Sequence, residues 1–432
     1  MFGPDRLFEP SPADGMPFSA SLDRAKLGRE TGNDDMARLA LAAYLAARLG
    51  ARALELRPDD AEAADGFRWQ LDSTRRYTEA LPQDGTEVRH LLAICDAAEE
   101  VPGSLRELAT QFYSYTHFLQ FEGRYEEALQ AVEVAARLQG PSLPPHAFIT
   151  SALIVGRLSR FLARWPEAER AYTAALDAAH ASGDAIGTHR ARLGLAAMLR
   201  MRGELDRARS AIDGLLGELA GDPASPVTAD AYLEQAAILA NAGHSAASLR
   251  ALYHAFRHAV DDTERMRVLG DLACSLRILG AVDLARRAFG IVQEAPAATF
   301  AVRRNAQVEL LGLSADIGDR LGFARWLREL EAVRSQMSPT MQVDFLYQQS
   351  AGWHRFGKPA RAHQAIESAK AIAAEHDLVR WQDRLASLAP TETRTEPAVS
   401  RVRAGQPEAV EVQRVLEEVG AGLAAFAEAR AS

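Results

Sequence analysis

The stretch EGRYEEALQAVEVAA, Glu122–Ala136, places a glycine inside an otherwise strongly helical run. Glycine in a helix interior costs roughly 1 kcal/mol relative to alanine, so Gly123 reads as a turn between two helices. The same phrase returns as ARWPEAERAYTAA (163–175), GELDRARSAIDGL (203–215), GAVDLARRAFGIV (280–292) and GKPARAHQAIESA (357–369). Taking the small residue five positions after the turn as a ruler gives Ala128, Ala168, Ala208, Ser248, Ala285, Ala324 and Ala362, spaced by 40, 40, 40, 37, 39 and 38 residues. A period of this length constrains the fold more than any other feature, because units of this size cannot bury an apolar face alone and must stack on one another. The turns are expected within about two residues of Gly123, Ala163, Gly203, Gly243, Gly280, Asp319 and Gly357, and a β-sheet in residues 103–388 is incompatible with the pattern.

Between turns the apolar residues recur at helical spacing, as in Leu193, Leu195, Met198 and Met201, then Leu205, Ala208, Ile212 and Leu215. Each unit is therefore two antiparallel helices, A and B. The residues resemble the tetratricopeptide repeat: Phe112, Gly123, Tyr125, Ala128 and Ala135 fit one unit, and Gly156, Trp165, Ala168, Tyr172 and Ala175 the next. Leu195, Ala196, Gly203 and Ala208 continue the series, followed by Leu272, Ala273, Gly280, Ala285 and Phe289. The units exceed the family's usual length of about 34 residues, and the fourth has Ser248 at the tight alanine position. In this they are similar to the long-repeat bacterial variant of MalT-type regulators and Rap-type peptide sensors. The resemblance implies an all-α, right-handed α-solenoid of about seven helix pairs over residues 103–389.

Outside the array the chain changes character. Residues 1–33 are rich in Pro, Gly, Asp and Ser, and disorder is expected there. Residues 34–102 read as three helices, Asp34–Leu56, Ala61–Ala80 and Thr86–Glu100, forming a divergent N-terminal cap. Residues 390–406 read as a flexible linker. Pro407 opens a last helix, within 407–432, with Val412, Val415, Val419, Leu423 and Phe426 on one face. That stripe has three possible resting places: the array's own groove, a second copy (self-association), or a partner.

Composition narrows the chemistry. Basic residues number 49 against 58 acidic, which argues against direct nucleic-acid binding. No stretch is long and apolar enough for a membrane span, and the start has no secretory pattern. Cys95 and Cys274 make no spaced motif, so neither a disulfide framework nor a zinc site is indicated, and a reducing cytoplasm is the expected compartment. Only three lysines stand among the 49 basic residues, a bias that with abundant alanine suggests a GC-rich bacterial genome. GHSAAS (243–248) lacks the closing glycine of a nucleophile elbow, and RFGKPAR (355–361) lacks the upstream glycine of a phosphate loop. His254 and His258 stand four apart without the acid of a zincin helix. No enzyme chemistry, cofactor or metal is expected.

By resemblance, ligand-facing residues sit at positions 2, 5, 9, 12 and 13 of each helix A. In the second to fifth units these positions include Arg157, Arg160, Phe161, Arg190, Arg200, Asn241, Arg267 and Arg277, with Asp230 as the single acid. The first unit offers Tyr113, His117 and Phe121, an aromatic end to the same face. Guanidinium forks suit carboxylate or phosphate. The expected function is a non-enzymatic scaffold or adaptor that binds an acidic peptide or protein segment. The alternative is a regulatory sensor of the MalT or Rap kind, and a Rap-like one would need its N-terminal helices to form a separate effector-binding bundle.

Overall fold

The computed structural model describes residues 18–56, 60–83, 85–101, 104–139, 144–222, 224–376, 378–387 and 407–431. Residues 1–17 of the segment expected to be disordered, and the expected linker 390–406, lie outside the described residues. Four helices come first: α1 (Ser19–Glu30), α2 (Asp34–Ala53), α3 (Ala61–Glu79) and α4 (Thr86–Glu99). Seven pairs follow: α5 (Leu105–Phe121) with α6 (Tyr125–Leu138), α7 (Pro145–Phe161) with α8 (Trp165–Ser182), α9 (Ala185–Met201) with α10 (Leu205–Leu219), α11 (Thr228–Asn241) with α12 (Ser245–His258), α13 (Asp262–Ile278) with α14 (Val282–Glu294), α15 (Phe300–Asp316) with α16 (Arg320–Glu331), and α17 (Pro339–Arg355) with α18 (Pro359–Glu375). Two more helices, α19 (Val379–Ala386) and α20 (Pro407–Ala431), complete the chain, and among the described residues there is no strand.

Each A–B turn uses one device. Gly123, Gly203, Gly243, Gly280, Gly318 and Gly357 all have φ between 71° and 84°, the left-handed region in which a side chain is penalised. The next amide reaches back five residues to close the preceding helix, as in Arg124 N to Leu119 O at 2.9 Å, Asp319 N to Ser314 O at 2.8 Å and Lys358 N to Trp353 O at 2.8 Å. The second unit does the same with a non-glycine, Ala163, at φ 56°. Five residues on, Ala128, Ala168, Ala208 and Ala285 are fully buried where A and B approach. Ser248 is buried in the same place and donates its hydroxyl to Ala236 O at 2.8 Å, so its polarity is satisfied by the facing helix. These are tetratricopeptide-like helix pairs.

One register needs correcting. In the sixth unit the turn residue is Gly318, with Asp319 capping α16 through the Gly322 amide. The tight position is therefore Phe323, buried at 2% exposure, while Ala324 faces solvent. The bulky ring fits because α17 presents Gly352, where a β-carbon would stand 2.1 Å from it.

The chain divides into two compact units, 1–198 and 199–432. In the first, residues 19–30, expected to be disordered, form a helix. It pairs with α2 through the same device: Gly32 at φ 72°, Asn33 N to Gly28 O at 2.7 Å, and Ala37, five residues after Gly32, against Gly28. A buried charge network joins α1, α4, α5 and α6. Arg124 on α6 bonds Glu87 on α4 at 2.7 Å and Glu127 at 2.6 Å; Tyr115 on α5 donates to Glu87 at 2.7 Å, and Ser21 on α1 to Glu127 at 2.9 Å. Burial pushes the Glu87 carboxyl up, but Arg124 and Arg24 outweigh it and hold it at about 2. Removing one partner of such a buried set typically costs 3–5 kcal/mol. One apolar core runs from Phe18 through Leu49, Leu91 and Phe112 to Ala171, so α1–α4 are continuous with the first helix pairs.

In the second unit the stripe of α20 is buried in its own chain. Val415, Val419 and Leu423 are at most 1% exposed, and α20 lies against the B helices α12 and α14. Phe426 meets Phe256 edge-on at 5.1 Å, and Arg250 pairs with Glu411. Glycines let the helix close in: a β-carbon at Gly422 would stand 1.8 Å from the Tyr253 hydroxyl.

Candidate functional site

The A helices carry the residues singled out from the sequence. In the first unit, Tyr113 on α5 shares a hydrogen bond with Ser151 on α7. His117 is exposed, and the surrounding protein followed by the Arg157 guanidinium hold its imidazole below the ordinary value. Phe121 is 45% exposed at the end of α5. Phe161 stacks on Tyr125 with centroids 4.9 Å apart, and the Arg160 guanidinium lies 5.0 Å above its ring. Arg190 on α9 is exposed.

The local packing excludes any side chain, a carboxylate included, at two positions of α7 and α9. Tyr172 of α8 inserts between α7 and α9, where β-carbons on Gly156 and Gly194 would approach its ring to 2.8 and 2.2 Å. Position 194 is thus reserved for hydrogen. Neither α7 nor α9 contains an Asp or Glu, whereas together they carry Arg157, Arg160, Arg190, Arg192 and Arg200.

The second unit is different. Arg200 bonds Glu234 on α11 through both Nε and Nη2, the latter at 3.3 Å. Arg267 on α13 reaches Asp230 on α11 at 2.8 Å and Glu264 at 3.6 Å. Arg277 extends from α13 across α15 to α17, bonding Glu309 at 2.6 Å, Asp316 at 2.8 Å and Gln348 at 3.2 Å. Its path exists because Gly312 on α15 has no side chain; a β-carbon there would lie 2.5 Å from an Arg277 nitrogen and 2.2 Å from the Gln348 amide oxygen. These three guanidiniums are engaged within the chain: Arg267 by Asp230, which the sequence positions included, and all three by acids that they did not, Glu234, Glu264, Glu309 and Asp316. Glu234, Asp271 and Glu309 occupy the sixth position of their A helices, next to the fifth. Asn241 is exposed at the end of α11.

The same face shields its groups from water. Burial, then the neighbouring Glu309 charge, raise the Asp344 carboxyl to about 6. Burial followed by Glu309 also pushes the Cys274 thiol well above its ordinary value, so it is not an activated nucleophile.

The remaining motifs take structural positions. His254 and His258 both stack on Tyr232, with centroids 5.1 and 5.4 Å apart. Ser245 begins α12, Lys358 precedes α18, and no helix among the described residues is long and apolar enough to cross a membrane.

No protein-family profile matches the chain, and no curated protein matches it. Among solved structures it is similar to a Rap protein complexed with competence and sporulation factor, at 13% identity over 81% of this chain and 98% of that one, with a TM-score of 0.45. It is also similar to the Cut9–Hcn1 hetero-tetramer of the APC/C, at 12% identity over 92% and 93% of the two chains, with a TM-score of 0.36.

Proposed function

We propose that the chain is a non-enzymatic protein-interaction scaffold, and that the A-helix face of its first unit binds an acidic peptide or protein segment. One observation carries the reading: the arginine-bearing helices α7 and α9 have no carboxylate of their own, Arg190 is exposed on α9, and α5 carries the exposed Phe121 and His117. A carboxylate-bearing chain laid along this face meets guanidinium forks and a stacking surface at Phe121 and His117. In the second unit the corresponding arginines are held by neighbouring acids and act as struts between repeats. Of the sensor alternatives, a Rap-like one would need a separate N-terminal bundle, whereas α1–α4 share an apolar core with α5 and α6.

The test is charge reversal on full-length protein. Acidic peptides selected on the wild type from a displayed random library should bind at least tenfold more weakly to R157E/R190E, with helicity by circular dichroism unchanged. Their affinity should fall as salt rises, since exposed charges are screened within about 8 Å at physiological ionic strength. Equal binding to both proteins at low salt would refute the reading.

A further inference from the structure

Two of the four steps between successive A helices of the second unit carry the same ion pair, and the last step, from Ala315 to Gln348, has neither group. Arg200 stands three residues before the turn glycine Gly203, and it pairs with Glu234, nine residues before Gly243, on the next A helix. Arg277, three before Gly280, pairs in the same way with Glu309, nine before Gly318. Between these lies the intermediate step: three before Gly243 is Ala240, and nine before Gly280 is Asp271. The acid is in place and the arginine is missing.

Asp271 makes no hydrogen bond or ion pair among the described residues. Arg267, one turn earlier on α13, is the guanidinium that acts on it, and Arg267 is bonded to Asp230 and Glu264. Solvent reaches both Asp271 and Ala240. Protein nevertheless surrounds Asp271 closely enough that burial raises its carboxyl above the ordinary range. An exposed carboxylate with no ion pair of its own is open to a cation delivered from outside. The chain itself shows which cation fits, because at the two equivalent steps it supplies a guanidinium.

We propose that Asp271, beside the vacant Ala240 position, is a subsite for an arginine or lysine side chain of the bound partner. A partner of the second unit then carries a basic residue at this contact. This rests on the scaffold reading and adds to it the chemistry of a second contact.

Panning a displayed random peptide library separately against full-length wild type, D271N and A240R tests the subsite. Peptides selected on the wild type should be enriched in Arg or Lys at one position and bind D271N at least tenfold more weakly. A240R supplies the missing arginine from within. It should lose the same peptides and melt higher than wild type by about 1–3 °C, as a surface pair allows. Selected peptides without a basic preference, equal binding to D271N, or no rise in the melting point of A240R would overturn the subsite. If binding still depends on Arg157 and Arg190 in that case, the scaffold reading survives. Failure to select any peptide would overturn both.

Discussion

Replacing Gly312 with alanine should have opposite effects in two backgrounds. In an exposed helix interior Gly→Ala normally stabilises by about 1 kcal/mol. Here the new methyl would sit 2.2 Å from the Gln348 amide oxygen and 2.5 and 2.7 Å from the Arg277 nitrogens. Those atoms are the ends of flexible side chains, so they can swing away without moving a helix. The loss lies in what they leave behind. Glu309 and Asp316 lose contacts of 2.6 and 2.8 Å, and Glu309 remains near Asp344, whose carboxyl burial and Glu309 already raise. Breaking a fully buried pair costs about 3–5 kcal/mol. The Arg277 and Glu309 side chains are 15% and 20% exposed, so about 2–3 kcal/mol is the better figure. After the helix-propensity gain, G312A should destabilise the second unit by about 1–2 kcal/mol. With Arg277→Ala and Gln348→Ala in place neither side chain is there to displace, and G312A should stabilise by about 1 kcal/mol. The assay is urea unfolding of the four proteins followed by tryptophan fluorescence, since Trp353 lies on α17 in contact with Phe323. Stabilisation by G312A in both backgrounds would show that Arg277 does not use the glycine channel.

Three further outcomes follow from the same geometry. Ala163 holds φ 56°, so A163G should raise stability by about 1 kcal/mol in thermal unfolding, whereas glycine elsewhere in a helix would lower it. The folded-state Asp344 carboxyl, at about 6, lies above its ordinary 3.8, so the folded state binds the extra proton and stability declines as pH rises from about 4 to 6. D344N should flatten that decline and be more stable than wild type above pH 6 by about 2 kcal/mol; Glu122, raised to about 6 by burial, adds a slope common to both proteins that cancels in the difference. Leu423 is fully buried against the B helices, so L423A should destabilise the second unit by about 2–4 kcal/mol, as measured by denaturant midpoint.

Much of this architecture was legible in the sequence, for reasons that differ by residue. Turn glycines such as Gly203 and Gly357 are visible because a left-handed residue is needed there, and the small residues five positions on are visible because two helix backbones meet there. The sixth unit slipped by one because Asp319 is a plausible turn residue and Ala324 a plausible small one; only Gly352 on another helix makes room for Phe323. The first helix pair was hidden by composition, although Gly32 and Ala37 carry the same five-residue spacing. The ion pairs of the second unit's arginines were hidden for a different reason. Whether Arg200 or Arg277 is presented to a partner depends on which acid the next A helix brings within reach, and Glu234 and Glu309 stand one position from those the family pattern marks. The resting place of α20 was not readable at all, because an apolar stripe specifies that it is covered but not by what.

The scaffold account is tested most directly by where the partner touches the chain. A photo-crosslinking amino acid placed singly at His117 or Arg190 on the A helices, and at Glu169 or Arg170 on the B helix α8, samples four exposed sites of the first unit. In cells that produce the protein, the account predicts one crosslinked partner from positions 117 and 190 and none from 169 and 170. Crosslinks to the same partner from 169 and 170, with 117 and 190 silent, would contradict it.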